Sequence, residues 1–166
     1  MTDNRTVTLH WQDPTIGAQA ALTMSGLDYM QAIVAGKYPP PPIAITMNMG
    51  LIEVAEGRVI FTAQPVEYCY NPIGVVHGGY ATTVLDGAMG CAVHTTLPKG
   101  MAYSTTQINV HLVRAITLSV GLLRCEGVVL HSGRMVATAE AYLRDANGKL
   151  YAHATSTCAI FPIQRD

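Results

Sequence analysis

The stretch from Gly79 to about Thr96 constrains this chain more than any other part of it. It lacks proline and is rich in Ala, Leu, Met and Val. Ala81, Val84, Leu85, Ala88, Met89 and Ala92 recur at helical spacing, with apolar residues nearly all round. A helix that is apolar on every side must be wrapped by the rest of the protein. It does not read as a membrane span. The weakly charged run from Cys69 to Thr96 carries only Asp86, but Asn71-Pro72, Gly74 and His77-Gly78-Gly79 break it and would expose backbone in lipid.

The wrapping has to come from strands. Ile45 to Ala55 and Arg58 to Val66 are expected strands joined by a tight turn at Glu56-Gly57. Residues 67–77 hold Asn71, Pro72 and Gly74 and are expected to form a loop. Beyond Pro98-Lys99-Gly100, strands are expected over Ala102 to Leu112, Leu118 to Leu130, Arg134 to Asp145 and Leu150 to Phe161. His131-Ser132-Gly133 is expected to turn. In the third of these strands Met135, Ala137, Ala139, Ala141 and Leu143 share one face. Asp145-Ala146-Asn147-Gly148 is a hairpin signal. One buried helix with several long antiparallel strands gives an α+β layer protein whose sheet must twist and curl.

Residues 1–42 differ from the rest. Ser25 is an expected cap for a short helix over Gly26 to Ala35, which Gly36 stops. Pro39-Pro40-Pro41-Pro42 reads as a stiff extended connector that cannot be helix. This segment is expected to be an N-terminal arm packed on one domain, residues 43–166, because it is too short to bury a core of its own. Met1 to Arg5 lead into polar sequence without an apolar core segment, so no signal peptide is expected.

Charge excludes further classes. The 166 residues carry 10 Lys+Arg and 11 Asp+Glu, a net charge of −1, so the footprint of a general nucleic-acid binder is missing. With 49% hydrophobic and only 13% charged residues, the chain is not disordered, and some apolar surface is expected to lie between subunits. Cys69, Cys91, Cys125 and Cys158 form no CxxC pair and read as reduced thiols of a cytoplasmic protein, not as metal ligands.

The chemistry concentrates in Asn71-Pro72-Ile73-Gly74-Val75-Val76-His77-Gly78-Gly79, followed by Asp86. Gly78 and Gly79 at a helix start leave backbone N–H groups open to a ligand, where the helix dipole favours developing negative charge. An oxyanion of acyl transfer needs that environment. Taken alone, the glycines also suit close packing of the helix. Asp86 is a carboxylate on an apolar helix, and burying it demands a partner or a catalytic task. From His77 to Asp86 is nine residues, roughly 13 Å of helix. One small reacting group cannot touch both ends within one chain, so a site shared across a dimer is expected. His94, His111, His131 and His153 show no metal spacing with His77, and no GxSxG, P-loop, GxGxxG or HExxH motif is present.

These residues resemble the hotdog-fold acyl-CoA thioesterases of the phenylacetate-degradation (PaaI-like) group. The resemblance runs from about Ile43 to Phe161 and includes Asn109, Leu112-Val113-Arg114, Gly133-Arg134, Asn147-Gly148 and Ala154-Thr155-Ser156-Thr157. It implies a hotdog fold, a long helix wrapped by a curved antiparallel sheet, with protomers paired edge to edge and commonly assembled as homotetramers. It implies hydrolysis of an acyl-CoA to free acid and CoA, without metal or cofactor. By position Asp86 matches the catalytic carboxylate, as general base or nucleophile, and Gly78 the N–H that polarises the thioester carbonyl. His77 and Asn71 match residues supporting that loop. Thr105, flanked by Ser104 and Thr106, matches a Ser/Thr that orients water or carboxylate. In the group the Asp and Ser/Thr come from the subunit opposite the loop. Gly79, Arg114 and Arg134 are candidates for substrate contact, the arginines at the CoA phosphates. Met89 and Tyr68 are candidates for setting acyl length. The alternative is a non-enzymatic acyl-CoA-binding or sensing module, which has no need of a carboxylate beside the thioester. A hotdog hydratase would want an Asp/His pair acting on the acyl chain.

Overall fold

The computed structural model describes residues 4–163; the expected boundaries at residues 1 and 166 and the leading Met1-Thr2-Asp3 lie outside the described residues. The central helix, α4, spans Gly78–Thr95. His77 caps its start, its Nδ1 accepting from the Gly79 N–H at 2.8 Å, and Pro98 follows its end. Val84, Leu85, Ala88, Met89, Ala92 and Val93 are fully buried. Each of the larger side chains contributes about 1.5–3 kcal/mol by leaving water.

Six strands wrap this helix: β1 (Met49–Ala55), β2 (Arg58–Ala63), β3 (Met101–Leu112), β4 (Leu123–Ser132), β5 (Val136–Asp145) and β6 (Leu150–Pro162). They form one antiparallel sheet in the order β1-β2-β4-β5-β6-β3. Alternation on β5 buries Ala137, Ala139, Ala141 and Leu143, a row of mostly small residues under the helix. Gly127 on β4 marks the closest approach, where a Cβ would stand 2.4 Å from the Ala88 carbonyl oxygen of α4. The turn at Glu56-Gly57 forms as expected, with Gly57 at φ +71°.

The N-terminal segment holds three short helices, α1 (Pro14–Ala21), α2 (Gly26–Val34) and α3 (Pro42–Thr46). α2 starts under Ser25, whose Oγ accepts from the Asp28 N–H at 3.2 Å. Gly26 donates to the Leu97 carbonyl at 3.0 Å, and Tyr29 packs edge-on against His94 with ring centres 6.0 Å apart. The arm is thereby fixed to the C-terminal end of α4.

Several element limits differ from the sequence expectation. Pro42 opens α3, because proline at the first helical position loses no hydrogen bond. A strand was expected from Ile45; β1 instead begins at Met49, after α3. α1 was not anticipated, although its signal is legible: Asp13 caps the Thr15 N–H at 2.9 Å with Pro14 at the first position. β2 stops at Ala63, just before Pro65. Residues 118–120 form a 3₁₀ turn and Gly121 takes φ +73°, so β4 starts only at Leu123 and continues through the expected turn to Ser132. Met135, expected to share a face with Ala137 and Ala139, is 68% exposed, because β5 begins only at Val136.

Candidate active site

The loop before α4 is shaped by its own side chains. Asn71 Oδ1 accepts from the Ile73 and Val75 N–H groups at 3.1 and 3.3 Å. Its backbone N–H donates to the Val75 carbonyl at 2.8 Å. Gly74 adopts φ +82°, which only glycine takes without strain. Val76 donates to Ile116 and His77 to Cys69, at 2.9 and 2.8 Å. The loop therefore presents the first turn of α4 in a fixed orientation.

Two glycines stand at that turn and they are not equivalent. The Gly79 N–H is taken by His77. The Gly78 N–H, as the first of the helix, has no intrahelical acceptor and no other partner among the described residues. A Cβ at Gly78 would lie 2.5 Å from Leu112 Cδ1, so a side chain there would crowd the approach. Beside it lies a cleft of about 250 Å³ lined by Asn71, His77, Gly78, Leu112 and Arg114. Arg114 is exposed and gives one guanidinium N–H to the Leu150 carbonyl.

Asp86 lies two turns further along α4, on the less deeply buried face of the helix. Thr82, Thr83, Asp86, Gly87 and Cys91 are half-buried there, while their neighbours on the other faces are fully buried. Thr105 on β3 donates its hydroxyl to Asp86 Oδ1 at 3.0 Å. A bulge falls between Thr105 and Gln107 against β6, and such irregularities re-aim side chains. Thr106 spends its hydroxyl on the Thr157 carbonyl at 3.0 Å, and Ser104 is exposed. Of the three hydroxyls at this point, only that of Thr105 reaches the carboxylate. Gly78 and Asp86 are eight residues apart on a continuous helix, about 12 Å of rise. The helix holds them apart as the spacing requires.

The remaining site candidates scatter. Arg134 is exposed in the turn between β4 and β5. That turn neighbours the C-terminal end of α4, where Ser132 and Thr96 hydroxyls meet at 2.9 Å. Arg114 and Arg134 thus flank opposite ends of the helix. Met89 is sealed in the core, and Tyr68 is exposed with its hydroxyl donating to the Thr46 carbonyl at 3.3 Å. Among the described residues no group of three or more His, Cys, Asp and Glu is disposed to hold a metal, and no helix is long and apolar enough to cross a membrane. The four cysteines are free thiols.

The profile of the thioesterase superfamily matches residues 73–152. A phenylacetic acid degradation-related protein of Ralstonia eutropha JMP134, assigned as a thioesterase, is 30% identical, with a TM-score of 0.72 over 79% of this chain and 98% of its own. A Streptococcus mutans UA159 protein solved with acetyl CoA is 25% identical, with a TM-score of 0.64 over 71% and 92%. A Streptococcus pneumoniae TIGR4 protein described as a thioesterase and solved with coenzyme A is 24% identical, with a TM-score of 0.63 over 71% and 89%, a likeness of fold. Among curated proteins none matches.

Proposed function

This chain belongs to the hotdog thioesterases of the phenylacetic acid degradation-related type and is a thioester hydrolase, and we propose that its substrate is an acyl-CoA, cleaved to free acid and CoA. The observation that carries this reading is the Asp86–Thr105 pair at 3.0 Å, on the half-buried face of a helix whose first N–H is open. The acetyl CoA bound to the similar Streptococcus mutans protein supports the acyl-CoA class.

In the proposed reaction the Gly78 N–H, reinforced by the dipole of α4, donates to the thioester carbonyl oxygen. Asp86, oriented by Thr105, takes a proton from water as the water oxygen adds to the carbonyl carbon. The tetrahedral oxyanion collapses, the C–S bond breaks, and the CoA sulfur leaves with that proton. The alternative route has the Asp86 carboxylate attack first, breaking the C–S bond and expelling CoA as its thiolate; water then opens the acyl-enzyme anhydride to the free acid, and the proton left on Asp86 passes to the thiolate. Arg114, beside the Gly78 cleft, is the better placed of the two arginines for a CoA phosphate.

The 12 Å between Gly78 and Asp86 requires a second subunit to complete each site. β3 supports that arrangement. It is an edge strand of 12 residues, with β6 as its one neighbour among the described residues. A long open edge calls for a partner. We place the protein as a homodimer through this edge, assembled further into a homotetramer, and in the cytoplasm, where its four free thiols stay reduced.

The test is thiol release from a panel of acyl-CoA esters, wild type beside Asp86→Asn. Loss of a positioned acid–base group typically costs roughly 10²–10⁴-fold, so kcat should fall by at least that order. Activity within a few-fold of wild type would overturn the role of Asp86. Wild-type binding of acyl-CoA without hydrolysis would favour the sensing module.

A further inference from the structure

An apolar cavity of about 300 Å³ lies between the N-terminal arm, the β1–β2 hairpin and α4. Protein interiors seldom keep voids much larger than a water molecule, so apolar space of this size implies an occupant. Met30 and Ile33 of α2 roof it, Leu51 and Phe61 form one wall, and Gly87 and Cys91 of α4 form another. Gly87 helps keep it open, since a Cβ there would already touch Met49 Cε at 3.6 Å. The larger depression in the molecule, about 510 Å³ on the outer sheet face, is lined by Arg124, Glu126, Arg144 and Asp145 and suits water instead.

Asp86 does not itself line the cavity, but residues beside it do. Gly87 follows Asp86 directly, and Cys91 is one turn further on the same helix face. Tyr103, which also lines the cavity, lies two residues before Thr105 on β3. Burial, with a smaller contribution from the nearby Asp86 charge, pushes the Cys91 thiol up to about 12 and the Tyr103 phenol well above its ordinary value. The arm that roofs the cavity lies outside the family-matched segment 73–152.

Resting on the thioesterase reading above, we propose that this cavity receives the acyl group of the substrate, with its thioester end at Asp86, and that Met30 and Ile33 set the length accepted. At roughly 30 Å³ per water-sized group, the space holds an apolar acyl group of about ten non-hydrogen atoms, linear or aryl.

Calorimetry with non-hydrolysable S-alkyl-CoA thioethers, ethyl to hexadecyl, reads the pocket without catalysis. Affinity should rise by up to about fourfold per methylene, level near eight to ten carbons, then fall. Ile33→Trp adds about six non-hydrogen atoms and should lower that ceiling by several carbons. Met30→Ala removes about three and should raise it. An S-phenylalkyl series beside the linear one shows which shape fits better. Either variant suffices if it keeps the wild-type melting temperature, because the two shifts have opposite sign. Affinity independent of chain length, or ceilings that folded variants leave unmoved, would overturn the pocket. A preserved ceiling with no hydrolysis of any ester would overturn the thioesterase reading and leave the pocket standing.

Discussion

Replacing Thr105 by valine keeps the shape of the side chain and removes one hydroxyl. That hydroxyl donates to Asp86 Oδ1 at 3.0 Å. A hydrogen bond to a charged group contributes about 1.5–3 kcal/mol. If the bond holds the carboxylate in its reactive orientation, Thr105→Val should lower kcat by roughly 10- to 150-fold. KM should change little, because Thr105 touches the carboxylate and not the bulk of the substrate. Thr105→Ser restores the donor and should recover most of the loss. The decisive measurement is a double-mutant cycle by thiol release. In an Asp86→Asn background, Thr105→Val should cost almost nothing further, since the group it positions is already disabled. Two results would refute the reasoning: activity of Thr105→Val within twofold of wild type, or the same loss in both backgrounds.

Mixing subunits of Asp86→Asn with subunits of Asn71→Ala should restore activity toward roughly half of wild type per mixed dimer, because twofold symmetry gathers both lesions in one site; no recovery after verified exchange would mean a site within one chain. Gly26→Ala would put a Cβ 1.7 Å from the His94 carbonyl oxygen, a backbone clash expected to cost about 1–3 kcal/mol in urea denaturation and to loosen the arm to proteolysis; an unchanged midpoint would contradict the docking of α2. Burial holds the His94 pKa below its ordinary 6.5, so below that pH the unfolded chain binds a proton that the folded chain refuses. Stability should be full above about pH 6.5 and fall as pH drops from there toward the lowered folded value, and His94→Phe should flatten that slope.

Local signals alone made several features legible. The all-round apolar run dictated a wrapped helix, because no single face could satisfy it. Ser25, Gly36 and Asp145-Ala146-Asn147-Gly148 acted through caps and turns whose partners lie within a few residues. Asn71, His77 and Asp86 stood out because polar residues at a helix start and on an apolar helix need a reason to be there. Pro42 and Leu118 misled, since a proline run and an apolar run each have a second conformation that only the surroundings select.

The tertiary structure decided what depends on residues far apart in the chain. It selected Thr105 over Ser104 and Thr106, because a bulge against β6 turns one hydroxyl toward a carboxylate 19 positions away. It distinguished Gly78 from Gly79, since the His77 side chain occupies the Gly79 N–H and leaves that of Gly78 open. It sent Arg114 and Arg134 to opposite ends of α4. It also enclosed the cavity under Met30 and Ile33, whose walls come from three segments that share no sequence pattern. Spacing along one element is written in the chain, whereas which side chains meet across elements follows from packing and register, which no local pattern encodes.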